Sequence, residues 1–558
     1  MSRLAQGLWL LLLSLAPLPG YAQAPAERPR LVVVISIDQF RADYLQRFFR
    51  FFGPGGFNLL LQRGANFTEA HYQHSTTQTC PGHAVILTGS YGNVNGIISN
   101  TWYDTAAHKP EYCAADTAAK LIGIAKEGRS PINLLVSTVG DELKTASNGR
   151  SKVITLAGKD RSAIMLGGHQ ADAAYWTEDT LFVSSTYYMK QLPHWVQRFN
   201  ASGHITRYRG AVWDRVLPPS EYSMMGPDDV PAEENAEGMG RTFPHRLGTG
   251  GSAGGSFVES FQVSPFENEA LVEFAMEAVK QEGLGRDDDT DLLGIGFSAN
   301  DLVGHSYGPD SHEMMDMTIR TDRLLQSFFT FLGQQVGMER VLIVITSDHG
   351  VVPFPELMQR RNPRLHARRL DPALIEAAAE QALRARYGVP RRPGYVDQPS
   401  WIMYEGWPWL YLNLEGLRDK RIRVRDAERV AQRAVRAVPG VDRAITATEL
   451  ARLRNSGSHT RAELSFYPGR SGNVYYELAP YVVAEPKPEG TTHGSPWEYD
   501  THVPLLWFGA GIRPGMYRDA VSVADLAPTL SALLGIPEPS GSSGTILKEM
   551  MLTEATPQ

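Results

Sequence analysis

The stretch Leu31-Val-Val-Val-Ile-Ser-Ile37, followed at once by Asp38-Gln39, is an almost wholly apolar, β-branched run closed by a carboxylate. Apolar residues at both odd and even positions mean that both faces are buried, the pattern of a parallel strand covered by helices on two sides. Two other runs share it. Leu292–Phe297 (LLGIGF) leads into Ser298-Ala-Asn-Asp301, and Val341–Thr346 (VLIVIT) leads into Ser347-Asp348-His349. Around them, Glu267–Gly283 and Glu313–Leu332 space their apolar residues by three and four, as helices do. The alternation predicts an α/β fold, with a doubly wound, mostly parallel central sheet and helices on both faces. Ligands of such sheets bind beyond the carboxyl ends of the strands. Asp38, Asp301 and Asp348 all stand just past such ends.

Outward from this core, the N-terminal 24 residues differ from the rest. Arg3 is the only charge before Glu27, the apolar run Leu8–Leu15 is too short to span a bilayer, and Pro17, Pro19, Gly20, Ala22 and Ala24 follow. Residues 1–24 therefore read as a signal peptide, cleaved after Ala22 or Ala24, and residues 25–558 as the mature catalytic domain. No later run reaches the ~18 consecutive apolar residues of a membrane span. The expectation is a secreted, periplasmic protein without a membrane anchor after cleavage. With 42% apolar and 21% charged residues the chain is an ordinary globular one, and its net charge of −7 offers no basic footprint for nucleic acid. Insertions forming a cap are expected at about 170–265, rich in Trp, Tyr and Pro, and at about 360–480. Gly248–Gly255 (GTGGSAGG) lacks the Lys-Ser/Thr of a phosphate cradle and reads as a flexible loop. Near the C-terminus, Val503–Phe508 reads as a strand and Val523–Leu534 as a short helix.

The chemistry lies in the acidic and imidazole groups. Asp301 and His305, at i and i+4, share one face of a helical turn. Asp348-His349 is adjacent at a strand end, and His493 sits in Thr491-Thr-His-Gly-Ser-Pro-Trp497. Any one of these histidines reads first as a surface or hydrogen-bonded core residue. Together, with three strand ends converging, the Asp/His sets suit two borderline divalent ions. Thr79 precedes Cys80-Pro81, and Pro81 fits the first turn of a helix, so Thr79 is expected to occupy or precede the N-cap. Its hydroxyl would then face the positive end of the helix dipole. Alone, it reads as a cap residue. Cys80 is a competing nucleophile with no evident His base. Cys80 and Cys113 are the only cysteines, and the sequence leaves open whether they form one disulfide or stay as buried thiols.

Seven motifs in order carry a resemblance. They are Ser36-Ile-Asp38-Gln, Thr79-Cys-Pro-Gly-His-Ala, Asn95-Gly-Ile-Ile-Ser-Asn100, Gly158-Lys-Asp-Arg161, Ser298-Ala-Asn-Asp301-x-x-Gly-His305-x-x-Gly-Pro, Thr346-Ser-Asp348-His349-Gly and Thr492-His493-Gly-Ser-Pro. The chain resembles the alkaline phosphatase superfamily over nearly its whole mature length. Within it, the chain is most similar to the bacterial periplasmic zinc alkaline phosphatases that use a threonine nucleophile, near the nucleotide pyrophosphatase/phosphodiesterase branch. The resemblance implies two zinc ions per chain. Asp301, His305 and His493 would hold one, and Asp38, Asp348 and His349, with the Thr79 oxygen, the other. It implies that Thr79 attacks phosphorus and that a phosphothreonine is then hydrolysed. Asn100, Lys159 and Arg161 would bind the remaining phosphoryl oxygens. Lys159 and Arg161 are expected on one face of a strand-like segment, although a Lys-x-Arg pair on composition alone reads as solvated surface.

These expectations amount to a monomeric phosphomonoesterase of broad range, working at alkaline pH on small phosphate monoesters and scavenging phosphate outside the cytoplasm. A phosphodiesterase or nucleotide pyrophosphatase would share both zinc sites, but Lys159 and Arg161 suit the extra charge of a monoester. A sulfatase would need a Cys-x-Pro-x-Arg arrangement, whereas Pro81 directly follows Cys80 and His83 stands at the later position. An inactive phosphate- or metal-binding protein on the same fold is the alternative from another class.

Overall fold

The computed structural model describes residues 28–248, 256–391, 399–457 and 460–552. The expected signal peptide (1–24) and nearly all of the Gly-rich loop (249–255) lie outside the described residues.

Eleven strands form the central sheet. In chain order they are β1 (Leu31–Ile37), β2 (Ala65–Phe67), β3 (Ala115–Ile122), β4 (Glu127–Arg129), β5 (Val153–Ala157), β6 (Ala173–Glu178), β7 (Leu181–Ser185), β8 (Asp291–Phe297), β9 (Val341–Thr346), β10 (Leu505–Gly509) and β11 (Gly515–Tyr517). Across the sheet they run β11-β2-β10-β9-β1-β8-β5-β6-β7-β3-β4. The central strands β9, β1, β8, β5 and β6 are mutually parallel. Antiparallel pairing with β10 on one flank and β7 on the other extends the sheet.

The unbroken apolar run of β1 is accounted for by the two layers it serves. Leu31, Val33, Ile35 and Ile37 pack into one core with Phe274, Ala278, Phe328 and Leu332, from the helices Pro265–Glu282 and His312–Gln335. Val32 and Val34 face a second core with Val85, Ile86 and Leu530, from the helices Thr79–Thr88 and Leu526–Leu534. Helices on both faces make this the expected doubly wound fold. Val523–Asp525, read as the start of the C-terminal helix, is a separate 3-10 turn capped by Ser522.

Residues 173–185, grouped with the first insertion by their composition, are strands of the central sheet. A second, four-stranded antiparallel sheet, in the order Ile402–Gly406, Trp409–Leu412, Val474–Leu478, Val441–Thr446, has its own apolar core with the helices Ala373–Tyr387 and Val424–Arg436. No helix among the described residues is long and apolar enough to cross a membrane.

Register positions the site. Ser36 pairs with Gly296 on one side and Thr346 on the other, and Gly296 pairs with Ala157. The chain therefore leaves β9, β1, β8 and β5 at one level, delivering Asp348-His349, Asp38-Gln39, Ser298–Asp301 and Gly158–Arg161 to one edge.

Candidate active site

Each loop reaches this edge by local chemistry. After β8, Ser298 opens the helix Ala299–Tyr307, which places Asp301 and His305 on one face as their spacing predicts. The helix Thr79–Thr88 approaches so closely that a Cβ on Gly82 would lie 2.2 Å from the Asp348 carbonyl oxygen, so only glycine fits there. Gln78 is its N-cap and Thr79 its first residue, one position further in than expected. Pro81 is tolerated because first-turn N–H groups have no intrahelical acceptor. Thr79 still lies at the positive end of the helix.

Three carboxylates converge. Asp38, Asp301 and Asp348 are all buried. His349 Nε2 lies 3.5 Å from Asp38 Oδ1 and 3.3 Å from Asp348 Oδ2. His305 Nε2 and His493 Nε2 lie 3.3 and 3.5 Å from Asp301 Oδ1. The His349 and His493 rings stack at 3.6 Å. Asp301, His349 and His493 form one group of potential ligands, and Asp38, Asp348 and His349 a second, each with its donor atoms within 4.8 Å of one another. His349 belongs to both, so the groups are contiguous, and His305 borders the first through Asp301.

The imidazoles are presented alike. Nδ1 of His305 is 2.7 Å from the Thr491 carbonyl, that of His493 is 2.7 Å from the Thr77 carbonyl, and that of His349 is 2.9 Å from the Gly350 carbonyl. A proton on each Nδ1 satisfies the carbonyl and leaves the Nε2 lone pair directed at the carboxylates, the usual arrangement around a metal. His349 Nε2 and Asp38 Oδ1 are buried with no hydrogen-bond partner among the described residues. Lys159 offers compensating charge between the two groups, its Nζ 2.7 Å from Asp38 and 2.5 Å from Asp301. Three carboxylates buried this close together are costly unless positive charge is placed among them. The donor set and its orphaned atoms fit borderline divalent cations.

The electrostatics follow. Burial, then the adjacent Asp348, pushes Asp38 well above the ordinary carboxylate range. Burial also works against the charge on Asp301, but Lys159, His305 and His493 prevail and hold it well below. Asp348 is likewise held low, against burial, by His349 and His83. Burial lowers His349, and burial with the nearby His349 holds His493 well below the ordinary imidazole range.

The remaining predicted residues surround Thr79. Arg161 Nη2 donates to Thr79 Oγ1 at 3.4 Å. Asn100 Oδ1 accepts from the Cys80 amide at 2.8 Å, which turns its Nδ2 the other way. The expected shared strand face for Lys159 and Arg161 is replaced by another geometry. β5 ends at Ala157, Lys159 is the N-cap of the helix Asp160–Gly167, and Arg161 lies in its first turn. Both side chains still converge, but Lys159 contacts carboxylates whereas Arg161 contacts Thr79. Cys80 and Cys113 form a disulfide, so neither is a free thiol.

Two residues escaped sequence reasoning. Gln39 adopts a left-handed φ of 61°. From there its amide donates to Asp348 Oδ1 at 3.1 Å and its Nε2 to Asp301 Oδ1 at 2.7 Å, bridging the two groups. Gly304 makes room, since a Cβ there would lie 1.7 Å from Gln39 Oε1. His83, fully buried, places Nδ1 2.9 Å from the Thr79 carbonyl and 3.2 Å from Asp348 Oδ2. Its i, i+4 relation to Thr79 was the available signal.

With this geometry in hand, the match to known proteins is informative. A profile of the family described as type I phosphodiesterase / nucleotide pyrophosphatase matches residues 32–495. The chain belongs to this family. Within it, the chain is 34% identical over 549 residues to alkaline phosphatase PhoV of Synechococcus elongatus, covering 96% of this chain and 95% of that one. It is 31% identical over 534 residues to alkaline phosphatase PafA of Elizabethkingia meningoseptica, covering 94% and 95%. A crystal structure of wild-type PafA superposes with a TM-score of 0.86 over 94% of this chain and 100% of that chain, at 29% identity. The fold and kinship read from the seven motifs are thus met, and the chain is an enzyme on the alkaline phosphatase side of the family.

Proposed function

We propose that this chain is a secreted, periplasmic zinc alkaline phosphatase that hydrolyses a broad range of small phosphate monoesters through a phosphothreonine at Thr79. The observation that carries the reading is the Arg161–Thr79 contact beside two contiguous Asp/His groups. Asp301, His305 and His493 would hold one zinc ion, and Asp38, Asp348, His349 and the Thr79 oxygen a second. Bound there, the ions would supply Lewis-acid charge for a phosphoryl group in transfer. The protein's part is positioning and charge compensation, which dominate phosphoryl transfer. Thr79 Oγ1, giving up its proton, would attack phosphorus in line as the ester P–O bond breaks and the alcohol departs, helped by its place at a helix N-terminus; water would then cleave the phosphothreonine, releasing phosphate and restoring the hydroxyl. Arg161 binds phosphoryl oxygens through a planar fork, and Asn100 Nδ2, turned by the Cys80–Asn100 bond, donates to another. Lys159 leaves the carboxylates once cations occupy them and adds a second positive charge toward the phosphoryl group. Residues 25–558 would act as one catalytic domain and a monomer, with the four-stranded sheet and its neighbours forming a cap.

The test compares kcat/KM for matched aryl phosphate monoesters and diesters on zinc-loaded mature protein at mildly alkaline pH. A strong monoester preference supports the reading. A diester preference would make the chain a phosphodiesterase with the same site, and no turnover of either would favour a binding protein.

A further inference from the structure

A second set of ligating side chains lies away from the site above, where the segment Glu69–His71 meets His502. His71 and His502 face each other across an antiparallel bridge. The hydrogen bonds Tyr72 N to Thr501 O, 2.9 Å, and Val503 N to Ala70 O, 3.1 Å, lie on either side of the pair rather than within it. This makes it a non-hydrogen-bonded pair, in which side chains approach most closely. The two rings are stacked at 4.4 Å and 16°. Glu69 lies in the turn just before the two-residue strand Ala70–His71. Its Oε2 is 3.7 Å from His71 Nε2. His502 Nε2 lies 2.8 Å from the Thr68 carbonyl and so carries the ring proton, leaving Nδ1 as its lone pair. One donor atom from each of Glu69, His71 and His502 falls within 4.8 Å of the others. Nearby positive charge comes from Arg461, whose Nη1 is tied to the Tyr72 carbonyl at 2.6 Å.

We infer that Glu69, His71 and His502 bind one additional divalent ion of the zinc, copper or nickel class, with water completing the coordination. Two imidazoles and one carboxylate on fixed backbone form a three-ligand set with an open position. The site is partly solvent-exposed, with side-chain exposures of 23% for His71 and 50% for Glu69, so an ion can enter and leave without unfolding. Bound metal clips the strand before Thr79 to the turn after Asp500. Tyr72, the next residue, already donates its hydroxyl to the Ser347 carbonyl at 2.9 Å, beside Asp348.

The experiment is equilibrium dialysis of the full mature enzyme against buffered zinc, with elemental analysis per chain for wild type, Glu69→Gln, His71→Gln and His502→Gln. At a free zinc level that saturates the wild type, each histidine variant is expected to hold one ion fewer, and Glu69→Gln to bind that ion at least tenfold more weakly. Turnover of an aryl phosphate is expected to be unchanged in Glu69→Gln, whose half-exposed side chain lies outside the catalytic groups. Copper added to the zinc-loaded wild type should show two-nitrogen coupling by electron paramagnetic resonance, lost in His502→Gln. Equal zinc content in all four proteins, or identical copper spectra with and without His502, overturns the inference. Because the readout is a difference between variants, it stands apart from how many ions the catalytic groups hold.

Discussion

Replacing Arg161 with alanine separates a phosphate clamp from a surface cation. The guanidinium Nη2 is 3.4 Å from Thr79 Oγ1, so a phosphoryl group joined to Thr79 brings its outer oxygens to about 4 Å from the positive charge. At an effective dielectric of about 20, each unit of phosphoryl charge at that distance gains about 4 kcal/mol. Partial exposure of Arg161 and ionic screening reduce this to about 2 kcal/mol per unit charge. At 1.4 kcal/mol per decade, a monoester dianion with two units loses roughly 1000-fold in kcat/KM, and a diester with one unit roughly 30-fold. Monoester-over-diester preference therefore falls roughly 30-fold. The assay is steady-state kinetics of wild type and Arg161→Ala on matched aryl mono- and diesters at equal, buffered zinc. Equal losses on both substrates would falsify the claim that Arg161 reads the extra charge.

Gln39→Ala removes the Nε2 donor to Asp301 and keeps the backbone bond to Asp348, and is expected to weaken zinc binding in the Asp301 group roughly 10- to 100-fold; competition with a chromophoric chelator measures it, and unchanged affinity contradicts the positioning role of the side chain. Cys113→Ser opens a loop with a sequence separation of 33, which the chain-entropy estimate values at about 3–4 kcal/mol. It also frees the segment that holds Asn100, so a chemical denaturation midpoint and kcat/KM are both expected to fall; an unshifted midpoint refutes the stabilising role. Glu267 is fully buried and its carboxyl is pushed up to about 7, by burial against the opposing pull of Thr177 and Lys159. A raised acid is penalised only when ionised, so wild-type stability relative to Glu267→Gln should fall as pH rises from about 4.5 to 7, by about 3 kcal/mol in all, and then level off. Parallel stability curves for the two proteins between pH 5 and 8 would show that Glu267 does not ionise within the fold.

Much of the architecture was legible because burial leaves a strong imprint on sequence. β1 is apolar at odd and even positions since two helical layers cover it, and the i, i+4 pair Asp301 and His305 marks a helical turn. Three strand ends carrying carboxylates pointed to one edge, and the sheet register brings them level there. What was not legible depended on the path of the chain between elements. Lys159 and Arg161 suggested a continuing strand, but Gly158 turns the chain into a helix. Cys80 and Cys113 bond because separate segments meet, a fact their spacing does not encode. Gln39 acts through a left-handed backbone that its residue type does not favour, and its side chain finds room only because residue 304, on another element, is glycine. The strands at 173–185 lie inside the sheet and are almost wholly buried, but AAYWTE and LFVSS lack the unbroken β-branched run by which β1 announces a buried parallel strand.

The central claim is that Thr79 takes the phosphoryl group. The most direct measurement is rapid acid quench of zinc-loaded enzyme during turnover of an aryl phosphate, followed by peptide mass spectrometry. One phosphoryl group on the peptide containing Thr79, absent from Thr79→Ala, which retains its zinc but not its turnover, is the expected result. Full turnover by Thr79→Ala, or a phosphoryl group trapped on another residue, would contradict it.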